Sequence, residues 1–275
     1  MNTNEKITNS YLQRISNILL INGSFLDSLG LYSGETGLAL FFFRYARFTH
    51  KDLYSDYSFD LIEKTQKGLH QETPINYKQG LTGIGSAIEY LVQNGYFEVD
   101  TDYILEDLDK RIFTIDSLPY LQIDDLLGIC YYALWRITGN SVRKDYILKT
   151  VLPQIVRFME SKCQNNQFSY PTVDVFKEII EIENRMMLKD FRAIPMSLQA
   201  CRSKYPYGLE ENTYNRFLER MSNNDFIIER NIDLGLQNGL AGFGMALMTQ
   251  LDGDDSWISL LPDDLIQQKD EPLPL

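Results

Sequence analysis

Cysteine, histidine and tryptophan are all scarce in this chain: its 275 residues include three, two and two of them. Three widely spaced cysteines argue against a disulfide scaffold and suit a reducing compartment. Neither Cys-x-x-Cys nor His-Glu-x-x-His occurs, so no recognised metal-ligand spacing is present. Long apolar runs are missing too. No stretch approaches the roughly 18 residues of a membrane-spanning helix. The opening "MNTNEKITNSYLQRISNILLING" has no basic-then-apolar export pattern. The expectation is a cytoplasmic protein without a membrane partner. Basic charge is in deficit: 26 lysines and arginines face 38 acids, a formal net charge of −12. Such a surface favours solubility and repels nucleic acid. The phosphate-loop sequence Gly-x-x-x-x-Gly-Lys-Ser/Thr is absent as well, which argues against nucleotide binding.

What is abundant is repetition. Gly34 opens "GETGLALFFFRYAR", Gly80 opens "GLTGIGSAIEYLVQNG" and Gly239 opens "GLAGFGMALMTQLDG". A weaker copy, "DLLGICYYALWRITGN", begins at Asp125. The starts lie 46, 45 and 114 residues apart. Periods of about 20–50 residues mark stacked supersecondary units, and the last interval has room for an unmarked unit. Gly37, Gly83, Gly128 and Gly242 are followed by large Leu38, Ile84, Ile129 and Phe243, then by small Ala39, Gly85, Cys130 and Gly244. Three copies close on Gly95, Gly139 and Gly253. The pattern predicts short helices entered through glycine (Gly34, Gly37, Gly80, Gly83, Gly128, Gly239 and Gly242) and stopped by it. Being apolar nearly all round, they belong inside the protein.

Amphipathic stretches lie between them, at 5–21, 54–70, 102–115 and 143–162, with Pro153 placed to kink the last. Each unit then reads as an exposed helix followed by a buried one. The expected fold is all-α: an α/α toroid of helical hairpins, incomplete at about five units, forming one domain over 1–275. Residues 164–232 read as a degenerate unit with helical "NTYNRFLERM", and the acidic, proline-rich 254–275 as a tail or strap.

Three segments carry a family resemblance: "GLYSGETGLALFFFRYARFT" (30–49), "YKQGLTGIGSAIEYL" (77–91) and "DLGLQNGLAGFGMALM" (233–248). With them the chain resembles the lanthionine synthetase C-like family, cyclases that close thioether rings in peptides. The resemblance implies a ring of inner and outer helices with the active site at one end of the bore. It implies a zinc ion that activates a substrate thiol, held by two cysteines and a histidine, one cysteine in Cys-His-Gly and the other after a tryptophan. Neither Cys-His-Gly nor Trp-Cys occurs here. Where the family carries a proton-handling histidine, "GLQNG" places Asn238, and the family's acid maps to Asn76 of "INYKQGLTG". Asparagine does not titrate. The remaining cysteines and histidines have plainer roles. Cys130 fills a small packing position, Cys163 and Cys201 read as incidental, and His50 and His70 fall at helix C-termini.

No catalytic residue, metal ligand or cofactor is therefore assigned. Polar residues at the inner-helix mouths remain as candidates for holding a peptide or substrate: Glu35, Tyr77, Asp124, Asp125, Gln237 and Asn238. Asp124 and Asp125 are also each placed to cap the following helix. Three readings stay open. The chain is a zinc-less binding or accessory protein in peptide modification, partnered by a precursor peptide or a modifying enzyme. Or it is a metal-free enzyme acting on carbohydrate or peptide through carboxylates at the ring mouth. Or it is a structural subunit whose open edges favour a homo- or hetero-oligomer.

Overall fold

A computed structural model describes residues 3–139, 141–164, 211–223 and 233–262. Every regular element among them is helical, and no helix among them is long and apolar enough to cross a membrane. The chain divides into two compact units.

The first unit comprises Met1–Thr73, Lys78–Gly80 and Ser203–Leu261. Its helices are α1 (Thr3–Asn22), α2 (Glu35–Thr49), α3 (Asp52–Gly68), α10 (Glu211–Asn223) and α11 (Leu240–Asp252). Two of these, α2 and α11, are the buried glycine-entry helices, and they pack on each other. α3 lies along α2, and α1 and α10 lie on α11. Leu12, Ile15 and Leu19 of α1, Phe41 and Phe42 of α2, and Phe243 and Met248 of α11 are wholly enclosed. Each contributes about 1.5–3 kcal/mol by leaving water. Phe217 stacks on Phe243 at 5.1 Å. Beyond α11, Gly253 takes the left-handed conformation (φ 77°) that ends the helix. A 3₁₀ turn, Ser256–Leu260, then seats Trp257 in the core, its indole N–H donating to Thr249 Oγ1. This part of the segment read as a tail is thus a strap; residues 263–275 lie outside the described residues.

The second unit comprises Pro74–Tyr77, Leu81–Arg202 and Pro262–Leu275. Its helices are α4 (Leu81–Gln93), α5 (Thr101–Ile104), α6 (Glu106–Ile112), α7 (Ile123–Thr138), α8 (Lys144–Tyr146) and α9 (Leu152–Gln164). The buried pair here is α4 and α7; α5 and α6 flank α4, and α9 flanks α7. The stretch read as one helix over 102–115 breaks at Leu105 into α5 and α6. Upstream of Pro153 the chain forms a π turn, Ile147–Val151. Proline has no N–H to give to the preceding turn, and the wider π spacing absorbs that loss.

Two expectations need correction. The sequence suggests that each outer helix precedes its buried partner. In the structure that order holds for α10 and α11, but α2 pairs with the α3 that follows it, α4 with α5 and α6 after it, and α1 lies on the distant α11. The repeat pattern also makes Gly128 a helix entry. It lies instead inside α7, which starts a turn earlier at Ile123. This copy has Asp125 where the others have their first glycine, so its entry is built by side chains instead.

Candidate functional site

The glycine-entry helices begin in a repeated backbone device. A helix leaves its first N–H groups without partners. In α2, the N–H groups of Glu35 and Thr36 donate to the carbonyls of Ser28 and Leu29, seven residues back. Leu81 and Thr82 repeat this with Pro74 and Ile75, and Leu240 and Ala241 with Asp233 and Leu234. The Thr36 and Thr82 hydroxyls each add a 2.6 Å bond to the same carbonyl as their own N–H. The loop closes so tightly that a side chain on Gly34 would strike the backbone of Ser28 and Gly30, and one on Gly239 the backbone of Gly235. In the first unit the loops are also joined. Tyr32 O accepts from the N–H groups of Leu236 and Gln237, and Tyr32 N–H donates to Lys78 O. The first two donors of each of these helices, which bind phosphate in other helix-entry loops, are therefore spent within the chain.

The six candidate residues divide between the units: Glu35, Gln237 and Asn238 in the first, Tyr77, Asp124 and Asp125 in the second. Asn238 is half-buried and has a left-handed backbone (φ 55°), a conformation asparagine tolerates better than most residues. Its neighbour Gln237 is half-buried beside it. Tyr77 is enclosed under the Tyr131 ring, 5.7 Å away, and over Gly128, where a β-carbon would press on its backbone. Burial pushes its phenol well above the usual range. Of the two aspartates, Asp125 takes part in capping the following helix. Gln122 is the N-cap of α7, and Asp125, one turn in, accepts from the Gln122 N–H at 3.1 Å to complete a capping box. Burial, with the charge of Asp124 adding to it, raises the Asp125 carboxyl. Asp124 stands in the same first turn with Oδ1 buried and without a hydrogen bond.

Glu35 is the first residue of α2 and only 1 % exposed. One of its oxygens pairs with Lys64 Nζ of α3, whose side chain is 48 % exposed. The other oxygen is buried without a hydrogen bond.

A second polar centre lies outside the sequence-based candidates. Arg136 of α7 is wholly enclosed, and each of its five N–H groups is used. Nε and Nη2 donate to the two oxygens of Asp109 at 3.2 and 2.7 Å. Nη1 donates to Glu89 at 2.5 Å and Thr101 at 3.1 Å, and Nη2 also to Asp102 at 2.5 Å. Tyr132 donates to Asp109 at 2.6 Å. Burial opposes the arginine's charge, but Tyr132, Asp109 and Glu89 outweigh it and push its pKa up. Burial raises the Glu89 carboxyl against the hydrogen bonds from Gln93 and Arg136. Asp102 is also desolvated, yet Ser141, the Val142 N–H and Arg136 outweigh this and draw it below its ordinary value. A legible signal existed: Glu89 and Arg136 interrupt the apolar runs "GIGSAIEYL" and "YYALWRITG", and a charge on a buried helix needs a partner. This centre binds helices together; its groups are engaged with one another.

Cys130 is fully buried, and burial raises its thiol well above the usual range, as its packing role implies. His50 ends α2 in a left-handed conformation (φ 54°), and His70 lies two residues past α3; both are exposed. The Cys163 side chain and Cys201 lie outside the described residues. Among the described residues, no three His, Cys, Asp or Glu are placed to hold a metal ion.

The family model described as "Lanthionine synthetase C-like protein" matches residues 26–179, more than half of the chain. The "DLGLQNGLAGFGMALM" segment lies beyond the match. No curated protein and no solved structure matches the chain.

Proposed function

The chain belongs to the lanthionine synthetase C-like family, and from that premise we propose that it is a zinc-less member. It binds a precursor peptide or a partner enzyme in peptide modification rather than closing thioether rings. The observation that carries this reading is Asn238. It stands where the family resemblance puts a proton-handling histidine, and its left-handed backbone gives asparagine a conformational reason to be there. The zinc ion that the family implies does not fit the described residues. Cys130 is sealed in α7 with its thiol held protonated, and the two histidines follow separate helices without belonging to any group of three ligand-type residues among the described residues. No step of the proposed function runs through zinc.

On this reading the inner helices keep the family's α/α toroid arrangement, and the half-buried groups at their mouths, Gln237 and Asn238 among them, face the peptide. The protein acts in the cytoplasm. Elemental analysis of the purified full chain tests the metal half of the proposal: zinc far below one per chain is expected, and one tightly held ion overturns it. Fluorescence anisotropy tests the binding half, with labelled linear peptides encoded by genes beside this one. Saturable binding is expected without thioether formation in the mass spectrum. Ring closure by the purified chain would return it to the cyclases.

A further inference from the structure

Glu35 is a carboxylate where the fold asks for leucine. The glycine-entry loops place one residue at the first position of each helix: Glu35 in α2, Leu81 in α4 and Leu240 in α11. All three are buried to 1 % or less. The two leucines meet the needs of the device, so nothing in the entry geometry requires a charge. Enclosing one is costly unless every lone pair is matched. Lys64 serves one oxygen of Glu35 and the other has no hydrogen bond.

A second unmatched group lies in the same seam. Tyr57, two turns before Lys64 on α3, packs edge-on against Phe42 of α2 with ring centroids 4.9 Å apart. Its hydroxyl reaches the end of α1, where a β-carbon on Gly23 would sit 3.0 Å away. The hydroxyl is buried and has no hydrogen bond. Burial raises the Tyr57 phenol, and the negative charge of Glu35 raises it further. A phenylalanine would fill the seam without an unmatched donor. Residues that break a local rule at a cost to stability are the ones expected at functional sites.

Glu35 offers an acceptor and Tyr57 a donor, and they do not bond to each other. An alcohol hydroxyl carries both complements, a donor for the carboxylate and an acceptor for the phenol; a thiol does either only weakly. Lys64 is the half-exposed member of the group and its flexible stem is the movable one. We propose that Glu35 Oε2 and Tyr57 Oη form a two-point subsite, gated by Lys64, for an alcohol hydroxyl on a bound peptide. This deepens the peptide-binding reading above and rests on it.

The test uses the full chain with ζ-carbon-labelled tyrosine, the Tyr57 signal being assigned by Tyr57→Phe. The probes are N-acetyl-serine N-methylamide and its alanine counterpart. The serine probe is expected to move the Tyr57 signal saturably and the alanine probe to leave it in place. Glu35→Leu abolishes the serine response and melts at or above the wild-type temperature, because leucine already fills the two sister positions. A Glu35→Leu protein that melts lower makes Glu35 a structural partner of Lys64 and overturns the proposal. So does a Tyr57 signal unmoved by the serine probe, which leaves water alone between the two groups. Should Glu35→Leu bind the linear peptides as well as wild type does, the subsite falls and the peptide reading stands. A wild-type chain that binds no peptide removes the reading on which the subsite rests.

Discussion

Among the described residues, each unit encloses one arginine on a buried helix, and the two are treated very differently. Arg136 of the second unit meets Glu89, Asp102 and Asp109 and has a partner for every N–H. Arg44 of the first unit, on α2, is 2 % exposed, yet it makes one hydrogen bond, to Asp252 at 2.8 Å. Asp254 stands 3.6 Å off, and Nε and Nη1 have no hydrogen bond. The acceptors also differ in setting: Glu89 and Asp109 are enclosed, whereas Asp252 and Asp254 are 34 % and 42 % exposed. A buried carboxylate that loses its cation has nowhere to turn, while a half-exposed one takes up water. The same residue type on the same kind of helix therefore anchors one unit and merely closes the other.

Arg136→Met is the most direct way to break that contrast. It leaves Glu89 and Asp109 charged and enclosed without a counter-charge, which costs about 3–5 kcal/mol. Urea denaturation of the full chain is expected to show this as a large fall in midpoint, or as early loss of the second unit. A fall below about 1 kcal/mol, the range of exposed pairs, would mean that the network is wet.

The glycines sharpen the comparison, because here the two units should agree. Gly85 of α4 lies under the Tyr132 ring of α7, and Gly244 of α11 under the Phe41 ring of α2. In both places the small residue two after the second glycine lets an aromatic ring from the neighbouring buried helix lie on the backbone. Alanine would strike the ring, costing about 1–3 kcal/mol, and would regain about 1 kcal/mol of helix propensity. Gly85→Ala and Gly244→Ala are each expected to lose up to about 2 kcal/mol. Thermal melts that differ widely between them would end the claim of one shared device.

That small position was readable in the sequence because it recurs. Recurrence also exposed the buried helices, their glycine entries and the left-handed stops at Gly95 and Gly253. What did not recur stayed hidden. Gly30 and Gly235, four residues before their entries, are where the loops touch, but the second copy has Asn76 at that register and the pattern dissolves. The Arg136 network draws on α4, α5, α6 and α7, and only the fold brings Asp102 and Asp109 to a residue 27 or more positions away. The pairing of α1 with α11 joins the two ends of the chain, and no local periodicity encodes such a contact. At the candidate site the sequence placed Glu35 at a helix mouth, yet it could not show that the residue is enclosed.

Arg44→Met is the counterpart of Arg136→Met with a smaller expected effect, below about 1 kcal/mol. The substitution removes one charged hydrogen bond and also removes two buried nitrogens that lack partners, and these changes oppose each other. Paired urea curves for the two methionine variants give the contrast as one number. If Arg44→Met proves as damaging as Arg136→Met, the unmatched donors of Arg44 are satisfied in solution and the units are alike.

The smallest effects are those of pH, and inside the second unit they carry opposite signs. Asp102 is drawn below its ordinary 3.8, so the unfolded chain takes up the proton first. Its stabilisation is present above pH 3.8 and is lost as pH falls through the lower folded value. Asp254 of the first unit, drawn down by Ser256 and Arg44 against its own burial, behaves the same way. Glu89 is raised above 4.5, so the folded chain takes up the proton first. Its contribution is greatest below pH 4.5 and declines as pH rises through the higher folded value. Urea midpoints measured across pH should separate the cases. The wild-type advantage over Asp102→Asn or Asp254→Asn grows as pH rises toward 3.8 and is flat beyond it. The advantage over Glu89→Gln shrinks above 4.5. An advantage over Glu89→Gln that grew in that range would mean Arg136 outweighs burial at Glu89, leaving the network with a full complement of charge and the second unit with the same acid response as the first.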